Sequence, residues 1–334
     1  MGFKEIIGHE RPVRLLKVML RAGRLPHALL FTGPAGVGKR TLALALAQAA
    51  NCLGEDPAEP CGVCVSCRKI ARGVHPDVAE LEPEGAGRVI KIKHVRDLRR
   101  DIAFKPFEGR TKVFIIREAD RLQAGQEESA NALLKTLEEP PPQSLLVLTA
   151  PRESELLPTI VSRCLRLNLA PLSRETIEAW LGRERGLAGP RARLLASLSG
   201  GCLGRVRDLD PDQVWAWRAE IAEIFGGEKR RPPGPAMEWA VKTAALKENR
   251  TEILDLLRFW CRDLMVVAAG GEARQLVNED LGSRLQSLGA GRPAGVFISA
   301  LQEIDQAEDA VNRFINADLV FENLMLALTG ISEG

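Results

Sequence analysis

The sequence lacks any hydrophobic run long enough to cross a bilayer. Its longest apolar stretch, Leu42 to Ala50, is interrupted by Gln48 and falls well short of the ~20 residues that a spanning helix needs. The opening segment, Met1 to Glu10, alternates charged and apolar residues and has no signal-peptide core. Ile6 stands where a myristoylation signal requires Ser or Thr. Excess charge is missing too: a net of +2 excludes a polycation that coats nucleic acid, so any DNA contact must come from a local patch or an assembly. The expectation is a cytoplasmic chain with no membrane partner. No internal repeat is present. His9, His27, His75 and His94 show no ligand spacing and are assigned no chemistry.

Cysteine is present, but not as a disulfide scaffold. Of seven cysteines, four lie between Cys52 and Cys67, while Cys164, Cys202 and Cys261 stand alone. Clustering in a cytosolic protein favours a metal. Cys52, Cys61, Cys64 and Cys67 follow C-x8-C-x2-C-x2-C, a spacing that can bring four thiolates to one tetrahedral ion. An iron–sulfur run of the ferredoxin kind needs a further Cys-Pro after Cys67, and Ala71 and Arg72 occupy those places. One structural Zn²⁺ per chain is expected, with four protein ligands leaving no position open for chemistry.

A chain of 334 residues has room for about two or three domains. The first half alternates apolar strands with helical stretches, the pattern of a parallel sheet flanked by helices. His27–Thr32, Lys112–Arg117, Ser144–Ala150 and Cys164–Leu169 read as strands; Gly38–Asn51 and Gln126–Glu138 read as helices, the latter stopped by Pro140-Pro-Pro142. After Pro171 the reading is helical, over Ser173–Arg185, Arg191–Leu198 and everything past Pro211, with a breaker-rich loop at 226–235. The expected layout is an α/β domain over 1–169 with a metal module at 52–67, a small helical lid over 170–209 and an all-α domain over 210–334.

Gly33-Pro-Ala-Gly36-Val-Gly38-Lys39 lies between a strand and a helix, where a phosphate loop belongs: glycines let backbone N–H groups face phosphates, and the lysine reaches the terminal ones. The next residue should place a hydroxyl on Mg²⁺, yet it is Arg40, with Thr41 one place later and turned by about 100° around the helix. The carboxylate expected at the end of the strand Lys112–Arg117 is replaced by Arg117, followed by Glu118, Ala119 and Asp120. Phosphoryl transfer leans on Mg²⁺, so efficient hydrolysis and a bound Mg²⁺ are not expected. ATP or ADP binding stays open, since Lys39 and Arg40 can still meet phosphate charge. A site rebuilt from Thr41 with Glu118 or Asp120 is the rival reading.

These pieces resemble the AAA+ subunits of the bacterial DNA polymerase III clamp loader. The resemblance rests on the phosphate loop, the four-cysteine insertion behind its helix, Asn131-Ala-Leu-Leu-Lys-Thr-Leu-Glu-Glu-Pro140, Leu148-Thr149-Ala150, and Thr159-Ile-Val-Ser162-Arg163-Cys164. It covers roughly residues 5–207, with a weaker match around Asn316, Leu319 and Glu322. It implies an AAA+ fold with a C-terminal oligomerisation collar. Arg163 is then an arginine finger offered in trans to a neighbour's ATP, Arg205 corresponds to the family's second arginine sensor, and Ile7-Gly8 to its adenine-side segment. The missing metal ligands, the retained Ser162-Arg163-Cys164 and the short tail after the collar resemble the delta-prime branch of the family. That branch implies gamma/tau-like ATPase and delta-like subunits as partners, the sliding clamp and primed DNA reached through the complex, and membership of a DNA-directed DNA polymerase holoenzyme. The alternatives are an ATP-hydrolysing gamma/tau-like subunit, a free-standing zinc-containing AAA+ NTPase, and a DNA-binding adaptor acting alone. Lys91, Lys93, Arg96, Arg99, Arg100 and Lys105 form a basic stretch that could meet DNA phosphates, with no interleaved aromatics expected.

Overall fold

The computed structural model describes residues 2–85, 88–122, 127–225 and 234–331. Most of the loop expected at 226–235 lies outside them. The chain forms two compact units: the first comprises Met1–Leu172 with Cys202–Gly204, the second Ser173–Gly201 with Arg205–Gly334.

The first unit runs α1 (Glu10–Arg21), β1 (Ala28–Thr32), α2 (Lys39–Asn51), α3 (Val65–Ala71), β2 (Val78–Leu81), α4 (Ile92–Ile102), β3 (Lys112–Ile116), α5 (Glu127–Glu138), β4 (Ser144–Ala150), α6 (Pro158–Val161) and β5 (Leu165–Asn168). The five strands are parallel, in the order β2-β3-β4-β1-β5. A parallel sheet covered on both faces needs apolar residues on both sides of each strand, and β1, β3 and β4 supply them as near-continuous runs. The period-2 alternation then sorts those runs into two cores. Leu29, Phe31, Val113, Ile115, Leu145 and Val147 pack with Leu42 and Leu46 of α2. Leu30, Phe114, Ile116, Leu146 and Leu148 pack on the other face with Val95, Leu98 and Ile102 of α4 and Leu133 of α5. β2 and β5 are the half-exposed edges. The architecture is that of an AAA+ P-loop domain, with the loop after β1 opening directly into α2.

The second unit is helical: α7 (Arg174–Arg185), α8 (Gly189–Leu198), the end of α9 (Leu203–Val206), α10 (Pro211–Phe225), α11 (Gly234–Ala245), α12 (Arg250–Ala268), α13 (Gly282–Gly289), α14 (Ala294–Asn312) and α15 (Ala317–Ile331). Ser173 caps α7 by accepting the N–H of Thr176, and Gly186 closes it at φ 67°, a conformation that glycine adopts without strain. Asp263, fully buried on α12, accepts the N–H groups of Val277 and Asn278 and the Asn278 side-chain amide, while Arg218 donates to Asn278. This chain of paired polar groups ties α10 and α12 to the loop before α13.

Candidate functional site

The phosphate loop has the backbone its glycines predict. Gly33, Gly36 and Gly38 have φ of 143°, 77° and 112°, and a Cβ on Gly33 would stand 2.3 Å from the Leu169 carbonyl. Four of the loop's carbonyls are occupied. Lys39 Nζ donates to Gly33 O and, at 2.8 Å, to Pro34 O; Gly204 N donates to Gly36 O at 2.9 Å; His9 Nε2 lies 2.9 Å from Val37 O. Gly204 approaches so closely that a Cβ there would meet Gly36 Cα at 2.7 Å. His9, which the sequence reading left without a role, braces this loop. Burial lowers the Lys39 pKa, opposed by the charges of Cys202, Asp120 and Glu118 nearby.

Arg40 and Arg117, at the positions where the sequence led one to expect metal ligands, are both drawn to the β2 edge. Arg40 makes a two-pronged bond to Glu80, Nε to Oε2 at 2.7 Å and Nη2 to Oε1 at 2.6 Å, which raises its pKa further. Arg117 pairs with Glu82. Glu118 sits at φ 49°, donates its N–H to Thr149 Oγ1 at 3.1 Å and turns its carboxylate to Arg88 at 2.5 Å. Asp120 keeps one oxygen near Arg121, while its buried Oδ1 has no partner among the described residues, and burial raises its pKa. Thr41 and Asp120 are thus what remains for a divalent ion. Mg²⁺ demands near-octahedral oxygen coordination anchored by carboxylates; the residues at the two usual positions are cations already neutralised, so this set does not make the usual magnesium site.

The four cysteines converge. The Sγ atoms of Cys52, Cys61, Cys64 and Cys67 all lie within 4.8 Å of one another, close to the ~3.8 Å separation that a tetrahedral ion with ~2.3 Å Zn–S bonds imposes. Backbone N–H groups already point at the sulfurs: Gly54 and Cys61 to Cys52 Sγ at 3.3 and 3.2 Å, Cys64 to Cys61 Sγ at 3.3 Å, Cys67 to Cys64 Sγ at 3.4 Å. Such donors favour thiolate; those from Cys64 and Val63 bring the Cys61 thiol down to about 6, whereas burial pushes Cys67 up. The residues fit a metal ion, which would serve as a four-ligand crosslink holding the loop between α2 and α3. Behind the module, Gln48 of α2 donates to Cys67 O at 2.9 Å.

Arg163 lies just beyond α6, on the surface of the first unit. Its guanidinium donates to Thr159 O at 3.0 Å and pairs with Glu138 at 2.8 Å. The neighbouring Cys164 is buried, which pushes its thiol up to about 12. Arg205 belongs to the second unit and pairs with Asp255 of α12 at 2.7 Å.

Sequence reasoning missed two buried side chains that fasten the segment after α4. Asp77 accepts the N–H groups of Phe107, Glu108 and Gly109 at 2.6, 2.8 and 2.7 Å. Asn51 accepts those of Arg110 and Thr111 at 2.8 and 2.9 Å. The expectation that the basic stretch holds no aromatics is also corrected: Phe104 falls inside it and Phe107 just after it, and both are exposed.

Comparison with known proteins adds the lineage. A family model described as "DNA polymerase III, delta subunit" matches residues 8–173, and one described as "DNA polymerase III, delta subunit, C terminal" matches residues 238–330. The DNA polymerase III subunit delta' of Bacillus subtilis (strain 168) is 30% identical over 323 residues, 95% of each chain. The DNA polymerase III subunit tau of Escherichia coli (strain K12) is 39% identical over 206 residues, 60% of this chain but 31% of that one. Among solved structures, a DNA polymerase III gamma subunit-related protein of Thermotoga maritima aligns over 95% of this chain and 99% of its own, at 17% identity and a TM-score of 0.44. Similarity to one relative from end to end, with family matches in both halves, means that this chain belongs to the delta-prime family of bacterial DNA polymerase III clamp-loader subunits.

Proposed function

We propose that the chain serves the clamp loader as a subunit that hydrolyses little or no ATP and lends Arg163 to a neighbour's nucleotide. The observation that carries this reading is the pair of arginines at the magnesium positions, each tied to a carboxylate of the β2 edge. A subunit so built keeps a phosphate loop in shape without the metal that offsets charge as a phosphoryl group transfers. Arg163 supports the second half. A planar guanidinium on the surface, its nearest ties a carbonyl and one exposed ion pair, is suited to reach a neighbour's phosphates.

On this reading residues 1–169, 170–209 and 210–334 act as nucleotide-binding-like, lid and collar domains. Arg205 stands at the lid-side sensor position, and the four-cysteine module holds one structural zinc. The partners are gamma/tau-like ATPase and delta-like subunits of a cytoplasmic hetero-oligomer, which delivers the sliding clamp to primed DNA. The test is an ATPase assay of the pure chain, then of a loader reconstituted with and without it. Background turnover alone together with stimulation in the complex supports the proposal. A second reading, an ATP-hydrolysing subunit, draws on the 39% identity to tau over 206 residues and on the orphan Asp120 oxygen. Substantial Mg²⁺-dependent turnover by the chain alone would decide for it.

A further inference from the structure

α3 is short, yet its end is fixed. Gly73 stands at φ 71°, and its N–H and that of Val74 return to the carbonyls of Ile70 and Lys69, each at 3.0 Å. A glycine-closed end of this kind satisfies the last carbonyls of a helix, so the side chains displayed there are held by a defined backbone. Val65, Arg68 and Arg72 follow at i, i+3 and i+7 on one exposed stripe. Val74, 65% exposed, continues it past the helix end. Lys69, between the arginines, is paired with Glu108 at 2.6 Å. Arg68 and Arg72 have no ion pair and no side-chain hydrogen bond among the described residues. No Asp or Glu occurs from Cys61 to Val74.

Beside this stripe lies a cavity of about 220 Å³. Arg40, Leu44 and Gln48, four residues apart on one face of α2, form one wall; Ile70, Ala71 and Arg72 form another, and Glu80 of β2 closes it. Leu44, Ile70 and Ala71 make its surface apolar. Arg40 and Glu80 neutralise each other, which leaves Arg72 as the unpaired cation of the cavity. Four thiolates around one divalent ion carry net negative charge, which Arg68, next to Cys67, is placed to offset; Arg72 lies one turn further along. Gln48 is buried and its amide nitrogen is engaged by Cys67 O, but its Oε1 has no partner among the described residues.

We propose that this cavity and the α3 stripe form a docking site for an acidic segment of a partner protein. An aliphatic side chain of that segment enters between Leu44, Ile70 and Ala71, a carboxylate meets Arg72, and a backbone N–H supplies the donor that Gln48 lacks. The charge fixes the sign of the partner, because a basic segment would set like charges against Arg72. The apolar groups decide for protein over nucleic acid: the stripe displays valines, not the aromatic faces on which bases stack. The site rests on neither the ATPase reading nor the clamp-loader one.

The experiment selects from a displayed library of random short peptides on the full chain, then measures the selected sequences as labelled synthetic peptides by fluorescence anisotropy. Those sequences should place Asp or Glu beside Leu, Ile, Val or Met, and their binding should weaken with salt. Arg72→Glu should weaken binding about 10-fold or more and reduce its salt dependence. Ala71→Trp, which fills the cavity from an exposed position, should weaken binding by a similar factor with the salt dependence unchanged. Alanine in place of the peptide's aliphatic residue should cost about 10- to 100-fold, the burial of one such side chain. Circular dichroism checks that both variants fold as the parent does, and substitutions in the peptide test the same contacts without altering the chain. No enrichment beyond that on the Arg72→Glu chain, enrichment of basic sequences, or affinities indifferent to both variants would each overturn the proposal. So would a labelled oligonucleotide that binds through Arg72 while no peptide does.

Discussion

Arg40 and Glu80 face each other as two forks, with both contacts at 2.6–2.7 Å. The position that should offer a hydroxyl to a metal is thereby engaged with the sheet edge, and Arg117 is engaged with Glu82 through a single contact. Restoring one ligand should therefore not restore the site. Arg40→Ser should leave ATP turnover of the pure chain at background, because no carboxylate stands at position 117. Half-exposed ion pairs contribute about 0–1 kcal/mol, so the variant should unfold near the parent's urea midpoint. The double change Arg40→Ser, Arg117→Asp returns both ligands and should produce Mg²⁺-dependent ATP binding, read by calorimetry with and without the ion. Turnover in the unmodified chain that vanishes with chelator contradicts this account.

Arg163 and Glu138 give a second measurable contrast. If the guanidinium acts on a neighbour's phosphate, Arg163→Ala should lower ATPase of the reconstituted loader by about 1,000-fold or more at the site it faces, the range for arginine fingers. Stability of the isolated chain should barely change, because the side chain is half-buried at most and its pair with Glu138 is a surface one. Arg163→Lys should fail as well, because an ammonium lacks the planar fork. A loader rate that ignores both substitutions assigns Arg163 to the surface alone.

The cysteine module can be tested by its metal. Elemental analysis should find one zinc per chain. At a free concentration about 100 times its Kd, the ion stabilises the folded state by about 2.7 kcal/mol. At roughly 2–4 °C per kcal/mol for domains of this size, chelation should lower Tm by about 5–10 °C. Cys67→Ser, at the buried ligand, should reproduce that loss and make the chain insensitive to chelator. A Tm indifferent to chelation would leave the four thiols without a structural ion.

Much of the first unit was legible because its signals are local. The runs Ala28–Thr32, Lys112–Ile116 and Ser144–Ala150 are continuous apolar stretches, the glycine spacing announces the loop, and cysteine spacing announces convergence. β2 was not legible: Val78-Ala-Glu-Leu81 is a half-exposed edge of four residues, too short and mixed to separate from a loop. That one omission hid the partners of Arg40 and Arg117, since Glu80 and Glu82 matter only once β2 is laid beside β3. No local pattern marks Gly204, because its closeness to Gly36 spans a long stretch of sequence. Asn51 and Asp77 escaped for the same reason. A buried amide or carboxylate has no pattern of its own until the segment it caps returns to it from 30 to 60 residues away.

Asp77 offers the last test, through acid. Burial alone would raise its carboxyl, but the N–H groups of Phe107, Glu108 and Gly109 outweigh that cost and hold its pKa below the ordinary value. A folded-state pKa below the unfolded one, about 3.9 for Asp, means stability that is present above that pH and lost as pH falls through the folded value. Asp77→Asn cannot reproduce three charge-assisted hydrogen bonds, and removing such bonds to a charged group costs about 1.5–3 kcal/mol each before relaxation. At pH 7 the variant should therefore unfold at clearly lower urea than the parent. As pH falls below the unfolded value and through the folded one, the parent should lose its advantage and the two midpoints should converge. Amide exchange at Phe107, Glu108 and Gly109 should accelerate in the variant at neutral pH, because these are the groups left without an acceptor. A constant gap between the two chains from pH 7 down to pH 2 would show that the carboxylate's charge is not what holds the turn.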